Sequence, residues 1–448
     1  EVLLTTRERY DIIFSEPSNP FRAGVASLFT REFYRAVASR LRPEGVLIQW
    51  VQGYEVDPRT IRTIYATLAS AFPYVETWQL SRGDLALVAS ANEIRYDVPA
   101  LRARIREEPF ANALTSTWRV ADLEGFLSHY LARASIARAV AGLEDSEINT
   151  DDRNSVEFGF ARGAGRESRF DVNDLKTLAR RRREDRPEVT GGEVDWMRVE
   201  EERWALDGMA NVFLPLEPSM PPDEQHRVQS QRDLLQGNLA KALVEWRAQP
   251  REPSGPREIS LVAQCLAEAG DEAAAQYIDE LRHYGPAEAD VILGRLRLRQ
   301  GRLADAAAAL DSAFRKHQAD PWPSPSAMRL GFASSEEIAD KDKSLAARLF
   351  GALRQPFAVL SLEEERNRTR LALAFRLDRR QVCLDALRPL EPHVPWTLPV
   401  LSWRNSCYQE TNSRTARRAA HDLEEYLEVQ PVSFGKELEA SRPERQTQ

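Results

Sequence analysis

The residue whose type and position most clearly allow chemistry is an acid near the start of the chain. Glu16 lies in a polar, proline-punctuated turn, residues 15 to 20, that follows the apolar run Tyr10–Phe14. A second apolar run covers Val46–Val51, beyond a helix-like segment. Strand, polar turn, helix and strand in this order are typical of an open α/β sheet, which presents its functional groups at the carboxyl ends of its strands. Glu16 is therefore the first candidate for a functional side chain.

The elements that would position this acid follow from the periodicity of the first 100 residues. Apolar runs predict four strands, and 3.6-residue periodicity predicts two helices. The second helix has Asp57 as its N-cap and Pro58 at its first position. Alternating strands and helices with short links predict parallel strands, and the S-R-G-D turn predicts a hairpin of the last two strands. The predicted strands are Tyr10–Phe14, Val46–Val51, Glu76–Leu80 and Leu85–Ala89, and the predicted helices are Leu28–Leu41 and Pro58–Ala71.

Composition places the chain among soluble globular proteins of two or three domains. It has 448 residues, 42% of them hydrophobic and 29% charged. The net charge of −8 argues against nucleic acid as a partner, because phosphate binding needs a surplus of Lys and Arg on one face. The one basic run, Arg180–Arg183, is followed at once by two acids and is interpreted as a solvated helix end.

Cysteine and histidine usage predicts neither a disulfide framework nor a metal site. The three cysteines lie far apart, and none of the six histidines has metal-ligand spacing. With no apolar run of about 18 residues and no signal peptide, the expected location is the cytoplasm. The chain starts without Met, so we expect it to begin inside a domain. Membrane association through upstream segments stays open.

The second half of the chain changes character and suggests a helical repeat. Beyond Gln225 strand patterns almost vanish, and a glycine recurs five residues before an alanine. The glycines are 33 and 31 residues apart, close to the 34-residue period of tetratricopeptide repeats, which this region resembles. The three copies are Gly237 with Ala242, Gly270 with Ala275, and Gly301 with Ala306; weaker copies are Leu345–Pro356 and Gln381–Leu390.

In the clearest repeat, Gly301 is expected to form the turn between two helices, with Leu310 and Phe314 in the core. The resemblance implies a curved surface that binds a protein partner. A plain helical packing domain is the alternative. The middle of the chain is predicted to be helical from about 98 to 140. Domain limits are predicted as 1–165 for the α/β region, 166–225 for a linker and packing segment, 226–430 for the repeats and 431–448 for a disordered tail.

Four segments between residues 10 and 90 resemble, in order and spacing, the second half of a spermidine synthase. In that family a strand ends in an acidic turn, D-S-S-D-P, followed by L-F-x-x-x-F/Y-Y, a strand G-V-x-x-x-Q, and F-P-x-V. The counterparts here are E-P-S-N-P at 16–20, L-F-T-R-E-F-Y at 28–34, G-V-L-I-Q at 45–49 and F-P-Y-V at 72–75. The turn resembles a divergent bacterial branch whose members often carry extra membrane or repeat regions.

The resemblance implies aminopropyl transfer from decarboxylated S-adenosylmethionine to a small-molecule amine. The amine is an ammonium ion at neutral pH, so it must lose a proton before its nitrogen can attack the carbon beside the sulfonium. A carboxylate within hydrogen-bond reach can take that proton and orient the amine. In the family a second carboxylate usually anchors the far ammonium group of a diamine. No metal is implied.

Carried over by position, the resemblance gives each residue a role. Glu16 falls on the first acidic position and becomes the candidate catalytic base or amine anchor. Asn19 falls on the second, where it cannot carry negative charge; the lost charge-assisted hydrogen bond is worth about 1.5–3 kcal/mol. Gln49 lines the pocket, and Ser18 joins it as a substrate-binding residue. Tyr34 ends the leader helix, where a structural role is favoured.

A later segment, I-N-T-D-D at 148–152, is matched to the family's N-S-D-type segment, which makes Asp151 a further candidate site residue. Plain structural alternatives exist. Glu16 could cap a helix or pair with Arg22. For Asp151 and Asp152 a structural pairing with Arg153 is favoured. Two departures from the family pattern are the replacement of its tyrosine- and proline-containing loop by S-R-G-D and of a tyrosine by Ile148.

The Gly-rich turn with which the family binds its nucleoside has no counterpart in this sequence. The resulting prediction is an α/β plus all-α protein. The first part is the C-terminal half of a Rossmann-like, S-adenosylmethionine-type domain. Its cofactor site is expected to be truncated and its strand edges exposed. The protein is expected to form a homo-oligomer. A tetratricopeptide-like helical domain follows. The alternatives are a methyltransferase-type enzyme that uses intact S-adenosylmethionine, and a non-catalytic scaffold in which the repeats bind partners.

Overall fold

The chain folds into two compact units, residues 1–252 and 253–448. The structure, a computed structural model, describes residues 2–17, 24–53, 56–80, 83–144, 146–159, 170–210, 212–377 and 380–429. The tail predicted to be disordered, 431–448, lies outside the described residues. The first unit is mixed α/β and the second is built of helices. This agrees with the predicted fold class at the level of one α/β region and one helical region.

The first unit contains seven strands and eleven helices within the described residues. The strands are β1 (Tyr10–Ser15), β2 (Leu41–Val51), β3 (Tyr74–Gln79), β4 (Leu85–Ser90), β5 (Tyr96–Asp97), β6 (Tyr130–Ala132) and β7 (Val189–Thr190). The helices are α1 (Val2–Thr5), α2 (Arg31–Arg40), α3 (Pro58–Ala69), α4 (Val98–Ile105), α5 (Phe110–Thr117), α6 (Leu123–Leu127), α7 (Ala134–Ala141), α8 (Val172–Arg182), α9 (Trp196–Ala210), α10 (Pro222–Leu235) and α11 (Leu239–Arg247). A 3₁₀ turn, Val25–Phe29, precedes α2.

Five of these strands form one sheet in the order β1-β2-β4-β3-β6. β1 and β2 are parallel and are joined through α2, as predicted. β3 and β4 form the predicted antiparallel hairpin, and β4 is also antiparallel to β2. The prediction of a purely helical segment from 98 to 140 is wrong at β6, which pairs antiparallel with β3. β5 and β7 form a separate two-stranded parallel sheet.

Local sequence explains where the helices beside the sheet begin. The Asp57 carboxylate accepts a hydrogen bond from the Thr60 backbone N–H at 2.9 Å, and Pro58 occupies the first turn of α3, as predicted. The Thr30 hydroxyl plays the same capping role for α2, accepting from the Phe33 N–H at 3.3 Å. α3 thus starts seven residues after the end of β2, whereas α2 starts only after the 3₁₀ turn that follows β1.

Both faces of the main sheet are packed, but not evenly. Leu47, Val51 and Leu87 contribute to one core together with side chains of α2, α3, α7 and α8. Trp78 and Ala86 contribute to the core on the opposite face, with α4, α6 and α9. On the edge strand β1, Ile12 and Phe14 are 60% and 56% exposed. The sheet is therefore sandwiched along β3 and β4 but partly open along β1.

The second unit consists of consecutive helices. They are α12 (Gly255–Ala269), α13 (Ala274–Leu281), α14 (Pro286–Arg299), α15 (Leu303–His317), α16 (Pro325–Lys341), α17 (Lys343–Ala352), α18 (Glu363–Arg376), α19 (Arg380–Leu387), α20 (Leu398–Glu410) and α21 (Ala416–Val429). A 3₁₀ turn, Glu391–His393, precedes α20. No helix in the described part of the chain is both long and apolar enough to cross a membrane.

Three turns between paired helices share one geometry. Gly237, Gly270 and Gly301 all have positive φ, between 72° and 79°. In each case the N–H of the following residue bonds to the carbonyl five positions back, as in Arg302 to Arg297 at 2.8 Å. Glycine is favoured there because a side chain would be strained at positive φ. The predicted turn role of Gly301 is confirmed. The tetratricopeptide resemblance itself stays a prediction.

The clearest repeat packs as its residue types indicate. Ala306, Leu310 and Phe314 are fully buried on α15. A Cβ on Gly294 of α14 would lie 2.9 Å from the Leu310 side chain, so the two helices approach closely because Gly294 has no side chain. These residues belong to a core that continues through α16, α17 and α18.

Opposite charges link three neighbouring helices of this unit in a charge ladder. Arg295 of α14 donates to Glu268 of α12 at 2.6 Å and to Glu337 of α16 at 2.7 Å. Arg299 bridges the same two glutamates one helical turn further along. Each carboxylate thus fixes one helix against the next.

A disulfide joins two helices near the end of the second unit. Cys383 of α19 is bonded to Cys407 of α20, with their Cα atoms 6.1 Å apart, whereas Cys265 is a buried free thiol. The sequence interpretation gave no reason to pair these cysteines and is corrected here. Their separation of 24 residues carries no pairing signal, and only the packing of α19 on α20 brings them together.

Candidate functional site

The predicted site lies at one edge of the main sheet, where four strands start or end. Ser15 of β1 is the register partner of Gln49 in β2, so β1 ends beside Gln49, two residues before the end of β2. Leu85 of β4 pairs with Val51 of β2, which brings the β3–β4 turn to the same edge. This edge is called the carboxyl edge below.

Glu16 lies at the carboxyl edge, immediately after β1, and its side chain is exposed. An exposed carboxylate at the end of a strand is accessible to a cation or to a proton donor. Ser18 and Asn19, predicted to bind the substrate, lie outside the described residues, as does Arg22. Their proposed roles therefore rest on the sequence.

Gln49 is fully buried on the face of β2 that also carries Leu47 and Val51. Its side-chain Nε2 donates to the backbone carbonyl of Trp50 at 3.0 Å. Its Oε1 is buried and has no hydrogen-bond partner among the described residues. A buried acceptor left without a donor costs about 1–3 kcal/mol, so a ligand N–H or O–H, or a water molecule, would be stabilised there.

Tyr34 is a core residue of α2. Its ring is completely buried among apolar side chains, and its hydroxyl has no hydrogen-bond partner within the described part of the chain. Burial raises the pKa of the Tyr34 phenol well above its usual range, so the group is neutral at every physiological pH. This placement agrees with the structural role that the sequence favours for it.

The I-N-T-D-D segment is fixed by Asn149 rather than by its aspartates. The buried Asn149 side chain donates to the Phe29 carbonyl at 3.2 Å and accepts from the Val156 N–H at 3.2 Å. Its backbone N–H donates to the Thr67 hydroxyl at 2.9 Å. Asn149 therefore ties this segment to α3 and to the turn before α2.

Asp151 and Asp152 are exposed beside this anchor. The backbone N–H of Asp151 donates to Glu32 at 3.1 Å, at the start of α2. The expected pairing of these aspartates with Arg153 is corrected, because Arg153 forms its ion pair with Glu147, at 3.3 Å. A carboxylate on the adjacent segment competes better than the two acids in the tight turn, whose geometry directs them to solvent.

Two residues at the carboxyl edge escaped the sequence prediction, Asp84 and Trp50. Asp84 closes the β3–β4 turn, where the Leu80 N–H donates to its carbonyl at 2.8 Å. Burial raises the pKa of the Asp84 carboxyl to about 6, although a hydrogen bond from Trp50 lowers it. Its Oδ1 is buried without a partner among the described residues. The sequence signal that could have identified Asp84 was the S-R-G-D turn, which ends in this acid.

Other residues limit access to this edge. A Cβ on Gly53 would lie 1.9 Å from the carbonyl oxygen of Gly83, so the chain leaving β2 lies directly on the β3–β4 turn. The Phe170 N–H donates to the Val56 carbonyl at 3.0 Å, which places the start of the 170–182 segment beside the same loop. The carboxyl edge is therefore a confined region rather than an open end of the sheet.

One cleft is lined by residues of α8 and α9 and of adjacent loops, and none of the predicted site residues lines it. Its volume is about 620 Å³, and its lining includes Arg133, Arg180, Arg183 and Trp204. Arg180 is paired with Glu200 at 2.6 Å, so part of its charge is neutralised. No group of three metal-binding side chains occurs among the described residues.

Comparison with known proteins gives one partial relationship. Polyamine aminopropyltransferase 2 of Hyperthermus butylicus is 32% identical over 121 residues, which cover 26% of this chain and 39% of the relative. The chain thus spans about two fifths of the length of this curated relative. No family model matches the chain. A part of the chain is therefore similar to a polyamine aminopropyltransferase, at a level that leaves activity and substrates as proposals.

Proposed function

We propose that the first unit carries spermidine synthase-like chemistry, the transfer of an aminopropyl group from decarboxylated S-adenosylmethionine to an amine. The observation that supports this most directly is the Ser15–Gln49 register pair. It places Ser15, and therefore Glu16 directly after it, on the strand next to Gln49. Glu16 and Gln49 are the residues that match the family's acidic turn and pocket glutamine. The partial similarity to a polyamine aminopropyltransferase supports the same reaction class.

In the proposed reaction Glu16 accepts or relays the proton of the substrate ammonium group. The neutral nitrogen then attacks the carbon next to the sulfonium, forming a C–N bond while the C–S bond breaks. The bond electrons pass to sulfur, and neutral methylthioadenosine leaves. Gln49 offers a buried oxygen to a ligand donor. Asn19 and Ser18 would line the pocket, with Asp151 and Tyr34 outside the reacting groups.

The test is calorimetric titration of the full-length protein with decarboxylated and with intact S-adenosylmethionine. Tighter binding of the decarboxylated form, followed by transfer to an amine, is the expected result. Glu16→Gln should retain nucleoside affinity and lose transfer activity. Glu44→Gln, which changes an exposed glutamate near the amino end of β2, is the matched control and should behave as wild type.

Other results of this titration would favour a different function. Preference for intact S-adenosylmethionine, with a methylated product, would favour a methyltransferase-type enzyme on the same sheet. Absence of binding by either nucleoside would refute both enzyme proposals. The non-catalytic scaffold would then be favoured.

For the second unit we propose a tetratricopeptide-like array that binds a protein partner. The shared turn geometry at Gly270 and Gly301 supports a repeated helix pair, since the two turns have matching φ angles and hydrogen bonds. Stacked helix pairs commonly present such binding surfaces. Affinity capture with immobilised residues 253–429 would test this, and Gly301→Ala should leave any specific capture intact while lowering the melting temperature.

A further inference from the structure

The cleft lined by α8 and α9 is basic and is large enough for a small molecule. Its volume of about 620 Å³ lies within the range of about 300–1,000 Å³ that is usual for ligand sites. Four arginines and three acids line it: Arg133, Arg180, Arg183, Arg186, Asp185, Glu200 and Glu217. Although the chain as a whole is acidic, these side chains therefore carry more positive than negative charge. This space is called the arginine cleft below.

The three acids of the arginine cleft are already paired with arginines. Glu200 accepts from Arg180 at 2.6 Å, and Glu217 lies 3.8 Å from the same guanidinium group. Asp185 pairs with the buried Arg203 at 2.8 Å. Because their charge is largely compensated, these acids repel a bound anion only weakly.

Two arginines of the cleft, Arg183 and Arg186, have no carboxylate partner among the described residues. The guanidinium carbon of Arg186 lies over the Trp196 ring, 4.8 Å from its centre. This contact uses the face of the guanidinium group and leaves the N–H donors in its plane to bind an anion. Two uncompensated guanidinium groups at one cleft favour a ligand group with two negative charges.

The backbone of Arg183 is in a conformation that is uncommon for an arginine. It follows the last residue of α8 with φ 57° and ψ 36°, the left-handed region in which glycine is usual at a helix end. The turn is closed by the Arg183 N–H to the Arg180 carbonyl at 3.0 Å and by the Glu184 N–H to the Ala179 carbonyl at 2.9 Å. Any side chain is less favourable there than glycine. An arginine in such a conformation at the border of a cleft favours a binding role for its side chain.

A second cavity, of about 250 Å³, adjoins the arginine cleft and shares Trp204 with it. Apolar side chains of the loop before α10 line this cavity, namely Leu214, Pro215, Leu216 and Met220. Lys176 and Asp207 also line it and are paired with each other, and Arg232 donates to the Gly208 carbonyl at 2.9 Å. The second cavity is therefore more apolar than the arginine cleft.

The two adjoining spaces suit a molecule with a phosphate group at one end and a planar ring at the other. A phosphate monoester carries a charge of about −1.5 to −2 at pH 7, which matches Arg183 and Arg186. The partly buried Trp204 offers its indole ring for stacking. Asn173 lines the second cavity, and its amide can both donate and accept hydrogen bonds, as the edge of a heterocyclic base requires.

We propose that the arginine cleft and its adjoining cavity bind a nucleoside monophosphate. The phosphate group lies at Arg183 and Arg186, and the base stacks on Trp204 beside Asn173. This site is distinct from the proposed aminopropyl-transfer site, because Glu16 and the other residues of the carboxyl edge do not line it. Binding here goes beyond that reaction and does not depend on it.

The test is calorimetric titration of the full-length protein with adenosine 5′-monophosphate, with adenosine and with inorganic phosphate. Wild type should bind the monophosphate at least about 10-fold more tightly than either part. Arg183→Gly should lower the affinity for the monophosphate about 10- to 100-fold, because a charge-assisted hydrogen bond is lost, and should leave the affinity for adenosine unchanged. Its melting temperature should not fall, since glycine suits the left-handed backbone.

Two further variants separate the charge of the site from its ring. Arg181→Ala is the matched control, because Arg181 is an exposed arginine of α8 that does not line the cleft. It removes the same charge and should change the affinity for the monophosphate less than about twofold at 0.15 M salt, where exposed charges are screened. Trp204→Leu should weaken the binding of both the monophosphate and adenosine by about 10-fold and leave that of inorganic phosphate unchanged.

Three results would overturn the proposal. The first is equal loss of affinity in Arg183→Gly and Arg181→Ala, since only the general charge of the region would then attract the anion. The second is binding of the monophosphate no tighter than that of inorganic phosphate, which would exclude a site for the base. The third is no binding of the monophosphate at all. None of these results bears on aminopropyl transfer, which is measured with different ligands and with Glu16→Gln.

Discussion

Gly53 lies so close to Gly83 that a side chain on Gly53 would not fit. A Cβ on Gly53 would be 1.9 Å from the Gly83 carbonyl oxygen and 3.7 Å from Cε1 of Phe170. The contact joins the loop after β2 to the turn between β3 and β4. It therefore sets the position of Asp84 relative to the end of β2.

Gly53→Ala should destabilise the first unit. The added methyl group meets backbone rather than a flexible side chain, and such overpacking typically costs about 1–3 kcal/mol. Thermal unfolding followed by calorimetry measures the loss. Gly351→Ala is the control, since its Cβ meets nothing within 4 Å and alanine is favoured in a helix. Equal melting temperatures for Gly53→Ala and wild type would contradict the contact.

Glu76 should make the first unit less stable as the pH rises. The side chain is 6% exposed and accepts a hydrogen bond from the Tyr96 hydroxyl at 2.6 Å. Burial raises the pKa of Glu76 from 4.5 to about 7, although that hydrogen bond lowers it. A raised carboxyl pKa gives stability that is fully present below pH 4.5 and is lost as the pH rises through 7.

Glu76→Gln keeps the acceptor for Tyr96 and removes the ionisation. At pH 8 it should therefore be more stable than wild type by up to about 3 kcal/mol, and near pH 4.5 the two should be equal. Urea unfolding at several pH values measures this difference. Glu93→Gln, at an exposed turn position, should shift stability by less than about 0.5 kcal/mol at any pH. A pH-independent effect of Glu76→Gln would exclude the proposed ionisation.

His317 should have the opposite pH dependence in the second unit. Its ring is 1% exposed, packs 5.4 Å from that of Phe357, and has no partner for either nitrogen among the described residues. Burial lowers the pKa of His317 from 6.5 to about 4. A lowered histidine pKa gives stability that is present above pH 6.5 and is lost as the pH falls through 4.

His317→Leu should remove this acid sensitivity without breaking a hydrogen bond of the described structure. Protonation of His317 should cost wild type up to about 3 kcal/mol of unfolding free energy between pH 6.5 and 4. The variant should not show this part of the loss. The exposed His421, changed in the same way, serves as control. The idea is wrong if wild type and His317→Leu lose stability in parallel.

Asn149→Ala should destabilise the first unit by about 3 kcal/mol. The change leaves the Phe29 carbonyl and the Val156 N–H without their partner, and each buried unpaired group costs about 1–3 kcal/mol. Asp152→Ala, three residues away and exposed, should be nearly neutral. Circular dichroism melts of both variants test whether Asn149 or the aspartates anchor this segment.

Much of the first unit follows from local patterns. The runs Tyr10–Phe14 and Val46–Val51 lie within β1 and β2, and Asp57 with Pro58 marks the start of α3. These features depend on neighbouring residues and are visible in one sequence. β6 is different, because its three residues lie between helices and are extended only through pairing with β3.

The candidate site was predictable in part. Glu16 and Gln49 could be brought together from the strand-helix-strand pattern, because parallel strands end at one edge. Asp84 could not, since its closeness to Trp50 depends on β4 inserting between β2 and β3. The buried state of His317 likewise depends on the packing of Phe357, 40 residues further along the chain. Long-range pairing of this kind leaves no periodic signal.

The charge ladder gives the helical unit a mechanical property. Any sliding of α12, α14 and α16 past one another would separate Arg295 from Glu268 or Glu337. Both glutamates are about 30% exposed, so dissolved ions reach them and weaken the attraction. The resistance of the unit to bending should therefore fall as the ionic strength rises. How far it bends would then depend on the surrounding electrolyte.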